Sequence, residues 1–92
     1  MSAFQFKASE EFWKNFHALD FLQKEAVRDK WKTFKENPFH PSLRTHKINR
    51  LSSLRRRTVY AVRIENDLRV IFEIRDGNQV FTIDVGTHDV YR

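Results

Sequence analysis

Ninety-two residues, with 17 Lys and Arg against 12 Asp and Glu, make a small basic chain of formal net charge +5. That length suits one domain burying roughly 60–65% of its unfolded surface. Absence of cysteine excludes disulfides and thiolate metal sites, and no apolar run approaches the length that spans a bilayer. The first residues, MSAFQFKASEEF, lack a signal-peptide pattern, so a single cytoplasmic domain over residues 1–92 is expected.

From Ala3 to Ala8 the apolar Phe4, Phe6 and Ala8 alternate with Gln5 and Lys7, which predicts a strand. Ser9 is placed to cap a helix whose first turn holds Glu10 and Glu11, suited to its positive end. Phe12, Trp13, Phe16 and Leu19 follow at helical spacing. Asp20, with Gln23 three residues on, has the form of a second cap. The run to Glu36 puts Leu22, Ala26, Val27, Trp31 and Phe34 on one stripe, and Asn37-Pro38 ends it. Two helices in succession form an antiparallel hairpin, and their aromatic stripes read as core, since each helix must bury one face on a sheet. From Pro38 to Arg57 the apolar residues are irregular. A long connection with room for one helical turn is expected, and connections of that length are often functional.

Thr58 to Tyr91 then reads as three strands in two hairpins, divided by Glu65-Asn66-Asp67 and by Asp76-Gly77-Asn78. Strand parity places Tyr60, Val62 and Ile64 on one face with Leu68, Val70, Phe72 and Ile74, and with Phe81, Ile83 and Val85. For these sets to agree, the first turn must hold an odd number of residues and the second an even number, Gly77-Asn78. The opposite face then gathers Arg63, Arg69, Asp84, Gly86 and His88 at one end, with Arg69 beside Gly86 and Tyr91 close by. Spacing alone leaves both a solvated polar face and a site open. The order is β-α-α-β-β-β, an α+β fold with a helical hairpin on one face of a mainly antiparallel sheet.

Charge is uneven along the chain. Between Asn37 and Ile64 there is no Asp or Glu, yet there are seven cations: Arg44, Lys47, Arg50, Arg55, Arg56, Arg57 and Arg63. The other 10 cations face 12 acids, so the whole basic excess lies in the segment leading into the sheet. Such clustering favours a polyanion or an acidic protein partner. Four histidines (His17, His40, His46, His88) show no paired ligand spacing, so neither a metal nor a cofactor is expected.

The element order, the segment ENPFHPSLRTHKI, the strand ending VRI, the run LRVIFEI and the closing VGTHDVY together resemble the RelE/ParE toxins of bacterial toxin–antitoxin modules. The likeness spans nearly the whole chain through order and spacing. It implies a toxin neutralised by a small antitoxin that wraps it. In the RelE-like branch it implies a ribosome-dependent endoribonuclease cutting mRNA, and in the ParE-like branch an inhibitor of DNA gyrase that performs no chemistry. In the first branch the arginine before the hydrophobic run contacts the scissile phosphate, and Arg69 holds that position. Arg63 matches the basic residue near the end of the preceding strand. His88 and Tyr91 fall where an Arg and a Tyr follow the last strand, and a related branch has a His after Gly-Thr and an Asp at the position of Asp67. Tyr60 and Val62 replace the paired lysines of RelE, which leaves the general base open.

Metal-free RNA cleavage needs a base, cations for the charge building on phosphate, and an acid for the leaving oxygen. Histidine suits either proton transfer. Arg63 and Arg69, which keep their protons, suit phosphorane stabilisation. Tyr91 offers a face for stacking and a hydroxyl. Asp67 either belongs to the turn or orients His88. The set Arg44, His46, Lys47, Arg50, Arg55, Arg56 and Arg57 is the expected RNA- and ribosome-binding surface.

Overall fold

In the computed structural model, which describes residues 4–76 and 78–87, both helices start at their expected caps. The Ser9 hydroxyl accepts the Phe12 N–H at the start of α1 (Glu10–Ala18), and Asp20 and Gln23 close a reciprocal capping box on α2 (Phe21–Glu36). Strand β1 (Gln5–Ala8) precedes them. Three long strands close the chain: β3 (Val59–Glu65), β4 (Leu68–Arg75) and β5 (Gln79–Gly86). Together with a two-residue strand β2 (His46–Lys47) they form one sheet in the order β1-β5-β4-β3-β2, antiparallel except where β1 joins β5. The helical hairpin covers one face, burying Phe12, Phe16, Val27 and Phe34 against Val62, Leu68, Val70, Phe72, Val80 and Val85. The α+β architecture is the expected one. No helix among the described residues is long and apolar enough to cross a membrane.

The connection is more structured than its pattern suggested. A 3-10 turn (Pro41–Leu43), β2 and a seven-residue helix α3 (Asn49–Arg55) replace the expected irregular stretch. The opposite face of the sheet is accordingly not wholly polar: Val59, Ala61 and Ile71 are buried beneath Ile48, Leu51 and Ile83. Two stripe residues also miss the core. Leu22 is 73% exposed because Gln23 takes the sheet side of the first turn of α2, against Glu65, Asn66 and Leu68, and Leu22 lies one step round from it. Trp13 is 50% exposed because Phe12 and Phe16 take the inward face of α1 and Trp13 lies one step round from it.

The register between β4 and β5 corrects the parity argument. Arg69 pairs with Gly86 and Ile71 with Asp84, as expected, but Phe72 pairs with Thr82 and Arg75 with Gln79. Ile83 is the extra residue of a bulge, and three residues rather than two lie between the strands. Val80 and Thr82 therefore face the helices with Phe72 and Ile74, while Phe81 and Ile83 move to the other face. Ser9 stabilises the switch. Its N–H donates to the Thr82 carbonyl at 2.9 Å and its hydroxyl to that of Ile83 at 2.6 Å, so the residue that caps α1 also satisfies backbone groups at the bulge.

Candidate nucleic-acid interface

Arg63 and Arg69 stand directly opposite each other on β3 and β4. The register expected from the first turn holds to this pair. It then slips by one, so that Glu65 pairs with Leu68 and the turn proper is Asn66-Asp67. Asn66 takes a left-handed φ of 43°, tolerable for Asn because its short side chain costs little there. Arg69 donates to the Asn66 carbonyl at 2.6 Å and to that of Leu68 at 3.3 Å. These bonds hold its guanidinium at the turn. Like charges directly opposite are destabilising, and among the described residues neither arginine has an acidic partner within ion-pair distance. Asp84, the acid expected nearby, is committed elsewhere: its Oδ1 accepts the Asn15 side chain at 2.6 Å and the Val85 N–H at 2.8 Å.

Asp67 is an exposed turn residue with no side-chain hydrogen bond among the described residues. His88 and Tyr91 lie outside the described residues, so the group that would carry proton transfer and the aromatic expected beside it are not placed.

The basic set expected to form one surface divides into four. Arg44 joins Arg63, Lys30 and Ser42 around a concavity of about 260 Å³ at the edge of β3. Arg44 sits just past the 3-10 turn with a left-handed φ of 49°, and His46, exposed in β2, donates its Nδ1–H to the Arg44 carbonyl at 3.1 Å. Lys47, Arg56 and Arg57 line a second, open depression with Asn49, Ser52 and Ser53. Arg50 is exposed on α3. Lys30 was invisible to sequence reasoning, since one lysine among several on a helix has no distinguishing pattern.

Arg55 is not an uncompensated cation. It forms a two-pronged contact with Glu73, Nε and Nη2 each 3.2 Å from a carboxylate oxygen, and Arg75 approaches the same carboxylate at 2.9 Å. Glu73 is 0% exposed. Burial pushes its carboxyl pKa up, but hydrogen bonds from Arg55 and Arg75 and their positive charges outweigh that and hold it below its ordinary value. Arg75 also stacks over the Phe81 ring, 3.6 Å from its centre, which the bulge has brought to this face. One available signal marked this anchor: a lone carboxylate, Glu73, inside an otherwise apolar run.

At the sequence level the chain matches no protein-family model and no curated protein. Its three-dimensional form does find counterparts. It superimposes on a chain of the archaeal RelE–RelB complex from Pyrococcus horikoshii with a TM-score of 0.70 and 12% identity, over 92% of this chain and 94% of that one. It also resembles the conserved hypothetical protein HP0892 from Helicobacter pylori, with a TM-score of 0.53 and 18% identity, over 94% of this chain and 96% of that one. The chain therefore has the RelE-like fold, and at these identities the likeness speaks for the fold alone.

Proposed function

We propose that this protein is the toxin of a toxin–antitoxin pair and acts in the cytoplasm as a metal-independent endoribonuclease on ribosome-bound mRNA. The observation that carries the reading is the Arg63–Arg69 pair, two arginines at directly opposite positions of neighbouring strands, neither in an ion pair among the described residues. Such an arrangement costs self-repulsion in the free protein and suits a phosphate whose negative charge grows during in-line attack. Arg69, oriented by the turn carbonyls, is assigned to the scissile phosphate, and Arg63 to the same phosphate from the neighbouring strand. His88 is assigned a proton transfer and Tyr91 the stacking of a base. A RelB-like antitoxin is the proposed neutralising partner, by analogy with the complex in which the archaeal counterpart was solved.

The test is cleavage of mRNA on ribosomes with 5′-ends mapped, run beside a gyrase supercoiling assay. Arg69→Ala is expected to cut about 10²–10³-fold more slowly with the fold intact. Arg69→Lys should recover only part of this, since an ammonium lacks the planar fork. His88→Ala should lose about 10²–10⁴-fold and flatten the pH–rate profile near neutrality. Cutting at the wild-type rate by folded Arg69→Ala protein would refute the assignment of the face. Loss of supercoiling with no cut mRNA would replace it with gyrase inhibition by binding.

A further inference from the structure

Lys30, Arg44 and Arg63 come from three separate elements, α2, the turn before β2, and β3, yet they line one concavity. No carboxylate lines it. Among the described residues none of the three cations makes an ion pair. Lys30 is positioned rather than free. It borders the apolar Val62, Ile64 and Val70 as well as the basic concavity, a placement that suits a side chain with an apolar stem and a charged end. Arg44 is fixed by a left-handed backbone that few non-glycine residues adopt. The N–H groups of Leu43 and Arg44 are already donated to His40 and Pro41, so recognition falls to the side chains. At about 260 Å³ the space is far larger than a water site.

We propose that this concavity is a second phosphate subsite for a single RNA strand, holding a backbone phosphate next to the one that lies between Arg63 and Arg69. Arg63 belongs to both places and joins them into one track. The inference rests on the reading of the Arg63–Arg69 pair as phosphate-binding, and it adds Lys30 as a contact outside the catalytic group.

Binding is measured by fluorescence anisotropy with the full chain and a labelled 2′-O-methyl octaribonucleotide, which cannot be cut through its 2′ oxygen. Lys30→Met keeps the apolar stem and removes the charge. Arg44→Asn removes the charge with a residue tolerant of the left-handed backbone. Each is expected to weaken binding about 3–10-fold and to reduce the salt slope by about 0.7, the value for one single-strand phosphate contact. Lys30→Arg should restore binding. Lys32→Gln, a matched loss of charge on the exposed side of α2, should change affinity less than twofold. If Lys30→Met and Arg44→Asn behaved like Lys32→Gln, the subsite would be refuted. It would equally be refuted if a labelled poly-glutamate peptide bound as tightly and lost affinity with the same variants, since the ligand would then be an acidic polypeptide. Binding through Lys30 and Arg44 by a protein that cuts no ribosomal mRNA would keep the subsite and remove only the ribonuclease reading.

Discussion

A carboxylate buried in the middle of β4 carries a large desolvation cost, and its neighbours show how it is tolerated. Glu73 is reached by two guanidiniums whose own side chains stay 39% and 32% exposed. Removing the acid leaves two cations that can turn to water, so the loss should fall short of the roughly 3–5 kcal/mol seen when a fully buried pair is broken. Glu73→Gln is expected to cost about 2–3 kcal/mol in urea unfolding, in the range of hydrogen bonds to charged groups. The pH dependence follows from the direction of the shift. The folded-state pKa lies below the ordinary 4.5, so folding favours the charged form. Its contribution is complete above about pH 4.5 and fades as acid drives the carboxyl through its lower folded value. The stability gap between wild type and Glu73→Gln should therefore narrow below about pH 4.5, and a gap constant from neutrality to about pH 3 would contradict the ion-pair account.

Elements that announce themselves in a sequence are those stabilised by their own residues. Helices α1 and α2 were legible because Ser9 and the Asp20–Gln23 box mark their starts and Asn37-Pro38 marks the end of α2. Helix α3 has no side-chain cap at its start, no acid in its first turn and no fully buried residue. It is held from outside, by Leu51 over the second cluster, by Ser52 accepting the Val59 N–H at 2.8 Å, and by Arg55 on Glu73. None of these is visible as periodicity. The bulge at Ile83 escaped for the same reason, since parity counts residues and cannot register that Ser9, 74 positions away, takes up a carbonyl there. The Arg63–Arg69 pairing was legible because the register near the first turn is set locally. Arg56 is strained in its own right. Arg56 ends α3 with a left-handed φ of 57°, a conformation costing a non-glycine residue roughly 1–2 kcal/mol. Arg56→Gly should stabilise the protein by about 0.5–1 kcal/mol, the strain relief being reduced by the extra chain freedom of glycine in the unfolded state. A lowered urea midpoint would mean that the Arg56 side chain makes a contact worth more than the strain.

Over the whole molecule, the basic excess that composition assigns to a single segment is divided by the fold into a structural part and an available part. Arg55 is drawn into the Glu73 anchor, while Lys47, Arg56 and Arg57 line the open depression beside α3, and Arg44 and Arg63 turn to the edge of β3 with Lys30. Long-range attraction to RNA should depend on the available cations and be indifferent to the anchor. Reversing Arg56 and Arg57 together, with Arg55 left in place, tests the depression without breaking the fold. Substituting Arg55 by an acid as well would set it against the buried Glu73 and confuse loss of binding with loss of stability. Each phosphate contact adds about 0.7 to the logarithmic salt slope for single strands and about 0.9 for duplexes. If both arginines touch phosphate, Arg56→Glu/Arg57→Glu should lower the slope for ribosome association by about 1.4–1.8, with the urea midpoint within the range of ordinary surface changes. A slope equal to that of the wild type would remove the depression beside α3 from the RNA-binding surface, and would leave the track along Arg63 to carry association.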